Sequence, residues 1–257
     1  LDGSDGPKAG AAYSAILFGP PGTAKTTICE ATASYLGWSF VVVDTSAFLA
    51  DGLGNVAARI SFVFDRLCSL EKCVILFDEI EEFCLDRETP GLGMESRMLT
   101  TSMLTKINDL RRGRRSLFFV ATNRLRAFDS AVTRPGRFDM QLFVGTPNLD
   151  ARCMRFEQRL GGLGPGRGVG ANSEDAKALA TFRSFLQDNW QAGAGDAMFL
   201  NYLEGEQFAA SAMAIVVAGQ ELTTDNLGAL LKAQAAVMTV RGTVKEEYLA
   251  SMGLSRI

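Results

Sequence analysis

Residues 18–27, Phe-Gly-Pro-Pro-Gly-Thr-Ala-Lys-Thr-Thr, constrain this chain more than any other stretch. They follow an apolar run, Ala15-Ile16-Leu17-Phe18, and open into residues 26–36, which have helical character. Apolar run, Gly-bounded turn, Lys-Thr and helix match the phosphate-loop pattern G-x-x-x-x-G-K-[ST]. One position departs from it: Ala24 stands where the strict pattern has glycine. Such a loop holds phosphates by backbone N–H groups turned inward, and side chains on its concave face would block them. The N-terminus of the following helix adds partial positive charge. Gly19, Pro20, Pro21, Gly22, Thr23, Ala24, Lys25, Thr26 and Thr27 therefore form the candidate nucleotide-binding segment. Lys25 would reach the terminal phosphates, and Thr26 would ligate Mg²⁺. Ala24 adds one methyl group, which the loop is expected to accept with a right-handed backbone at that position. The bland alternative is an ordinary Gly/Pro turn between a strand and a helix.

Bulk properties narrow the rest. With 257 residues, 47% of them apolar, the chain can build one large domain or two smaller ones. Lys and Arg number 26 against 29 Asp and Glu, a net charge of -3, which gives no general attraction to nucleic acid or to a membrane surface. No histidine occurs, which removes His-based triads, His zinc ligands and His pH switches. The 5 cysteines (Cys29, Cys68, Cys73, Cys84, Cys153) include no C-x-x-C and read as reduced core residues of an intracellular, reducing compartment. The chain begins at Leu1 and so reads as a fragment or processed form. Its longest apolar run, residues 208–219, is too short to span a bilayer and reads as a buried helix.

Along the chain, apolar runs alternate with helical periods. Residues 38–44 read as a strand buried on both faces. Residues 56–70 carry apolar side chains at helical spacing, and residues 73–79 are an apolar strand that stops in two acids. Residues 96–110 form a helix expected to turn Met98, Met103, Leu104 and Ile107 inward. Residues 111–115 are a basic turn, read as a solvated loop with an acidic partner or nucleic acid as alternatives. Residues 117–122 form a strand ending at Asn123, residues 129–133 a short helical turn, and residues 140–144 a last strand. This predicts an α/β fold: a parallel sheet sandwiched by helices, with ligands beyond the carboxyl ends of its strands. Beyond Pro147 only helical periods appear, at residues 149–160, 178–190, 207–217, 227–240 and 245–252, with a Gly-rich linker at 161–170. The expected organisation is residues 1–147 as an α/β subdomain carrying the phosphate loop and residues 148–257 as a small helical one.

Three polar signals fall at one sheet edge. Asp78 ends an apolar strand, where a carboxylate can hold Mg²⁺, and Glu79 is placed to polarise a water for attack on a γ-phosphate. An acid pair opening a solvated helix is the alternative for these two. Asn123 can donate toward the γ-phosphate or orient water; otherwise it is a turn residue. Arg134 and Arg137, braced by Pro135 and Gly136, present fixed positive charge, or are plain surface arginines.

Taken together, Gly19-Pro20-Pro21-Gly22-Thr23, Ile75-Leu76-Phe77-Asp78-Glu79-Ile80-Glu81, Val120-Ala121-Thr122-Asn123-Arg124 and Arg134-Pro135-Gly136-Arg137-Phe138-Asp139 resemble the AAA+ ATPases. The likeness is to the AAA group proper, with its second region of homology, and runs from Ser14 to about residue 160. It implies a P-loop α/β subdomain, a helical lid, ATP and Mg²⁺ as cofactors, and usually a hexameric ring of the chain with itself. It makes Lys25 and Thr26 the Walker A pair, Asp78 and Glu79 the Walker B acids, Asn123 sensor 1, and Arg134 and Arg137 fingers reaching a neighbouring subunit's site. Members that thread polypeptide usually carry an aromatic pore loop after the second strand. An ungapped reading places Gly52-Leu53-Gly54 there, and a gapped one Phe48-Leu49-Ala50. Residues 85–94 would hold a second pore loop or a surface loop. Thr224-Asp225-Asn226-Leu227 is a loose likeness of the family's sensor 2 region.

The expected activity is ATP hydrolysis coupled to remodelling of a protein client. A nucleotide-gated assembly scaffold with slow hydrolysis is the alternative, and a small-molecule kinase is a third reading.

Overall fold

The computed structural model describes residues 12–50, 52–85, 91, 93–125, 128, 137–161, 173–191 and 196–237. They fall into two compact units. One is built on Ala24–Val144 with the chain leading to Gly19; the other lies within Gly145–Ala250 and includes Pro20–Thr23.

In the first unit, β1 (Ser14–Phe18), β2 (Ser39–Asp44), β3 (Cys73–Asp78), β4 (Leu117–Thr122) and β5 (Met140–Phe143) form a five-stranded sheet in the order β2-β3-β4-β1-β5. Every pairing is parallel. The sequence alternation sorts side chains between two faces. Ile16, Phe18, Ile75, Phe77, Phe118 and Val120 pack on one face. Ala15, Leu17, Val74, Leu76, Leu117, Phe119 and Ala121 pack on the other. Helix α1 (Lys25–Leu36) covers the second face through Cys29 and Ala33. Gly37 ends it in a left-handed conformation (φ 65), its N–H donating to Ser34 O.

The first face is covered by α2 (Thr45–Leu49), α3 (Val56–Cys68) and α4 (Met94–Gly113). In α3, Val56, Ile60, Phe64 and Leu67 are buried, the i, i+4 stripe of an amphipathic helix. In α4, Met103, Leu104 and Ile107 turn inward as expected. Met98 does not; it is 67% exposed, because the buried stripe of α4 begins at Thr100.

Strand β2 corrects a second expectation. Its apolar run does not mark a strand buried on both faces: only Val43 is buried, and Val42 is half exposed. The order of strands explains this, because among the described residues β2 has a neighbour on one side only. β5 is the other edge and is likewise mostly exposed.

Phe48 is fully buried, stacked on Phe64 (centroids 6.4 Å, 12°) and edge-on to Phe83 (5.3 Å, 68°). It is a core residue of α2, so the gapped reading of a pore loop at residues 48–50 does not hold for it. Leu53–Asn55 forms a 3₁₀ turn. Most of residues 85–94 and all of 129–133 lie outside the described residues.

The second unit is helical: α5 (Leu149–Gly161), α6 (Ser173–Gln191), α7 (Tyr202–Val217) and α8 (Thr224–Ala235), with a 3₁₀ turn at Asp196–Phe199. Its core is a run of aromatic rings, Phe156 on Phe182 (4.2 Å, 11°) and Phe208 against both Phe182 (5.6 Å) and Phe185 (6.2 Å). Glu206 of α7 accepts from Arg155 and Arg159 of α5, and these bonds, Arg159 foremost, hold its carboxyl below the usual range. Arg155 also lies over the Tyr202 ring, 3.7 Å from its centroid. Helix α7 opens with a capping box: Asn201 Oδ1 accepts from Glu204 N–H, and Glu204 Oε2 from Asn201 N–H. Within this unit Tyr202 N–H donates to Gly22 O at 3.0 Å, and a methyl group on Gly22 (φ 71) would stand 2.8 Å from Asn201 Nδ2. Glycine at 22 is thus favoured by both backbone and space, since a side chain there would be strained and would displace the Asn201 amide. The expected linker and the helix at 245–252 lie outside the described residues, apart from Gly161.

Candidate active site

The register of the sheet brings the sequence-predicted residues to one edge. Phe18 of β1 pairs with Thr122 of β4, and Asp78 of β3 with Ala121 of β4. Three strands therefore end level, and the segments leaving them emerge on the same side: Gly19 and the loop from β1, Asn123 from β4, and Asp78-Glu79 from β3. Gly19 N–H donates to Thr122 O at 3.3 Å, tying the first two together. Gly19 sits at φ 150, and a Cβ there would lie 2.1 Å from Val144 O. No other residue fits that position.

Ala24 does not hold the right-handed backbone expected of it. Its φ and ψ are 69 and 28, the left-handed region, and it serves as the N-cap of α1 without a side-chain bond. Its carbonyl accepts Ile28 N–H at 3.0 Å and closes the first helical turn. The chain must swing from loop to helix at this residue, and the glycine of the strict pattern marks that need.

Lys25 opens the first turn of α1 and is buried. Its Nζ donates to Gly19 O at 2.9 Å and to Asn123 Oδ1 at 2.7 Å. A buried ammonium thus joins the loop to the end of β4, where anionic oxygens can compete for its donors. Thr26 is half-buried and Thr27 exposed. Beneath them, Cys29 Sγ donates to Lys25 O at 3.4 Å. Burial, with Asp78 and Glu30 nearby, pushes this thiol up to about 12, so it stays protonated and unreactive.

Asp78 is half-buried. Burial, then the charges of Glu79 and Asp44, push its carboxyl above the ordinary range, against the pull of Lys25. The site therefore concentrates negative charge that a cation would relieve. Glu79 is exposed and its backbone is left-handed, φ 54. A non-glycine residue is held there only by its surroundings.

Arg137 lies elsewhere. It precedes β5, at the amino edge of the parallel sheet. Asp139 Oδ2 accepts from Tyr13 N–H (2.9 Å), Ser14 N–H (3.1 Å) and Ser14 Oγ–H (2.9 Å) at the start of β1. Asp139 Oδ1 accepts from Arg111 Nε (3.0 Å) and Nη2 (2.6 Å). Burial opposes ionisation of Asp139, but these bonds outweigh it and hold the carboxyl below its usual value. Phe138 is buried edge-on to Phe118. The basic segment is not all turn, because residues 111–113 close α4 and Arg114 caps it; within the chain Arg111 pairs with Asp139 and Arg115 with Glu71. Arg134 lies outside the described residues.

Sequence reasoning did not single out Asn201 and Tyr202. The signal was present as N-x-x-E before an apolar run. Thr224–Leu227, the loose sensor 2 likeness, opens α8 behind a capping box of Thr223 with Asn226.

A parallel sheet in this strand order, with a phosphate loop after β1 and acids after β3, defines a P-loop nucleotide-binding α/β protein. The chain belongs to the AAA family: the model of the "ATPase family associated with various cellular activities (AAA)" matches residues 15–146. It is 40% identical over 139 residues to ATP-dependent zinc metalloprotease FtsH 1 of Alkaliphilus metalliredigens, covering 53% of this chain and 24% of that protein. It is 34% identical over 148 residues to the m-AAA protease component AFG3L1 of Mus musculus, covering 57% of this chain and 19% of that one. It is 30% identical over 147 residues to a Cell division cycle protein 48 homolog of Archaeoglobus fulgidus, covering 57% and 20%. The chain thus matches only a fifth to a quarter of the length of these relatives.

Proposed function

We propose that this chain binds ATP with Mg²⁺ and hydrolyses it in a ring, a hexamer by resemblance, to remodel a protein or protein complex. The observation that carries the reading is the meeting of Lys25 and Asn123 at 2.7 Å, on the sheet edge where Asp78 and Glu79 emerge. The loop and the start of α1 would bind the phosphates. Lys25 would exchange its bonds to Gly19 O and Asn123 Oδ1 for phosphate oxygens, and Asn123 would then be available to orient the attacking water. Glu79 would take part of that water's proton as it attacks.

The oxygen donors Thr26 and Asp78, with the charge crowding at Asp78, fit Mg²⁺. The ion would neutralise phosphate charge as it develops.

The place of Arg137 supports assembly. It sits at the amino edge of the sheet, one strand away from Lys25, and β1 spans 5 residues, roughly 16 Å at the usual rise. That separation sets Arg137 apart from its own Lys25, and the resemblance assigns it to a neighbouring copy's site. Arg134 is assigned the same role from the sequence. The helical unit is assigned as the lid.

The test is Glu79→Gln. ATP binding, read by calorimetry, should persist while phosphate release stops. Turnover at the parental rate would sink the assignment of Glu79. A second reading, the nucleotide-gated scaffold with slow hydrolysis, is favoured by the burial of Phe48, which withdraws the aromatic nearest to a pore-loop position. ATP-driven unfolding of a model substrate by the parent protein would exclude it.

A further inference from the structure

Glu79 stands in the left-handed region with φ 54, a conformation that L side chains rarely adopt. Something must hold it. The β2–β3 ladder ends with Asp44 opposite Asp78, so the next residue on each strand meets across the end of the sheet. There Thr45 Oγ1 donates to Glu79 O at 2.6 Å.

Thr45 is itself firmly seated. Asp44 caps α2, its Oδ1 accepting Ala47 N–H (3.2 Å) and Ser46 Oγ–H (2.5 Å). Three residues on, Phe48 anchors the helix in the core. Arg59 Nε donates to Ala47 O at 3.0 Å, tying α2 to α3. Because Asp44 already caps the helix, the Thr45 hydroxyl is not needed for that purpose. It is a donor on a helix that is itself tied down, and it holds the carbonyl of Glu79, the residue at the left-handed turn.

We propose that Thr45 is a positioning residue for Glu79: its hydroxyl holds the left-handed turn that aims the Glu79 carboxylate. This rests on the hydrolytic reading given above. Removing the hydroxyl frees the Glu79 backbone to relax toward the right-handed or extended regions, which swings the carboxylate away. Misplacement of a reacting group on the order of 1 Å can cost 10²-fold in rate.

The experiment compares Thr45→Val, which keeps shape and loses the donor, with Thr45→Ser, which keeps the donor, in the full chain. For Thr45→Val, turnover at saturating ATP should fall at least roughly tenfold, with KM and ADP affinity unchanged. Thr45→Ser should restore it. Added to Glu79→Gln, Thr45→Val should lower the residual rate no further, since the two act as one unit. Amide exchange of the segment around residues 78–80 should quicken in Thr45→Val and return to the parental rate in Thr45→Ser. Parental turnover in Thr45→Val, a parallel loss of ADP affinity, failure of serine to rescue, or unchanged exchange would each overturn the proposal. If the parent does not hydrolyse ATP, the hydrolytic reading falls. The exchange comparison then still decides whether Thr45 holds the turn.

Discussion

Replacing Ala24 with glycine tests the loop geometry directly, because the sign of the effect depends on the handedness of one residue. At φ 69 and ψ 28, Ala24 carries a Cβ into the left-handed region. For an L-residue that contact with the following carbonyl costs about 1–2 kcal/mol. Glycine removes the cost. It also frees the unfolded chain, which works against the folded state by about 0.4–1 kcal/mol. The relief is the larger, so Ala24→Gly should stabilise the nucleotide-free protein by on the order of 1 kcal/mol. Nothing else near Ala24 changes: it makes no side-chain cap bond, and its carbonyl keeps Ile28 N–H.

The assay is denaturant unfolding of parent and variant at equal protein concentration, with thermal unfolding beside it. A gain of 1 kcal/mol corresponds to about 2–4 °C in a chain of this size. Ala24→Val supplies the opposite arm, since a β-branched side chain tolerates this region worst; it should unfold more readily and bind ATP more weakly. The refuting result is a loss. Were Ala24 right-handed, glycine would destabilise by roughly 0.5–1 kcal/mol, as it does inside any helix. A variant less stable than its parent would mean that the loop does not hold the conformation described.

Charge and packing set two further outcomes. Asp139 is held below its usual pKa, so its network contributes stability above the ordinary carboxylate range and loses it as pH falls through the depressed folded value. Unfolding curves taken from neutral pH down to roughly pH 2 should show Asp139→Asn less stable than the parent at neutral pH, the gap closing on acidification. A gap independent of pH would refute that account. Gly205→Ala should destabilise by about 1–3 kcal/mol although it lies inside α7. The new methyl would stand 2.7 Å from Arg152 Nη1, on a buried guanidinium that donates to Pro147 O (3.0 Å) and Leu200 O (2.5 Å). The gain in urea midpoint normal for Gly→Ala in a helix would show that Arg152 moves aside freely.

The central strands were legible because their environment is uniform. β1, β3 and β4 have neighbours on both sides and helices on both faces, and runs such as Val74-Ile75-Leu76-Phe77 admit no other placement. The run in β2 looks the same in one dimension. It differs by the absence of a second neighbour, which is set by strand order and not by local composition. Phe48 fails for a related reason. An aromatic before Leu and Ala fits a loop tip or a buried helical turn equally well, and only the meeting of α2 with Phe64 and Phe83 decides between them. The basic residues 111–115 were read as a solvated loop because their partners lie far along the chain, Arg111 with Asp139 and Arg115 with Glu71.

At the candidate site the sequence reading anticipated a shared sheet edge and missed the backbone. Lys25, Asn123, Asp78 and Glu79 all emerge from one edge, as motif order and a parallel sheet require. The left-handed turns at Ala24 and Glu79 were not foreseen, though they set where those side chains point. Both residues stand at a short, obligatory change of direction: loop into helix at Ala24, strand into turn at Glu79. A side chain stands in each where glycine would be easier. At Glu79 the Thr45 hydroxyl donates to the carbonyl of the turn, and on the proposed reading the carboxylate polarises the attacking water. At Ala24 no side-chain hydrogen bond offsets the strain. The glycine of the strict pattern is therefore a statement about backbone angle, and this chain keeps the angle without the residue.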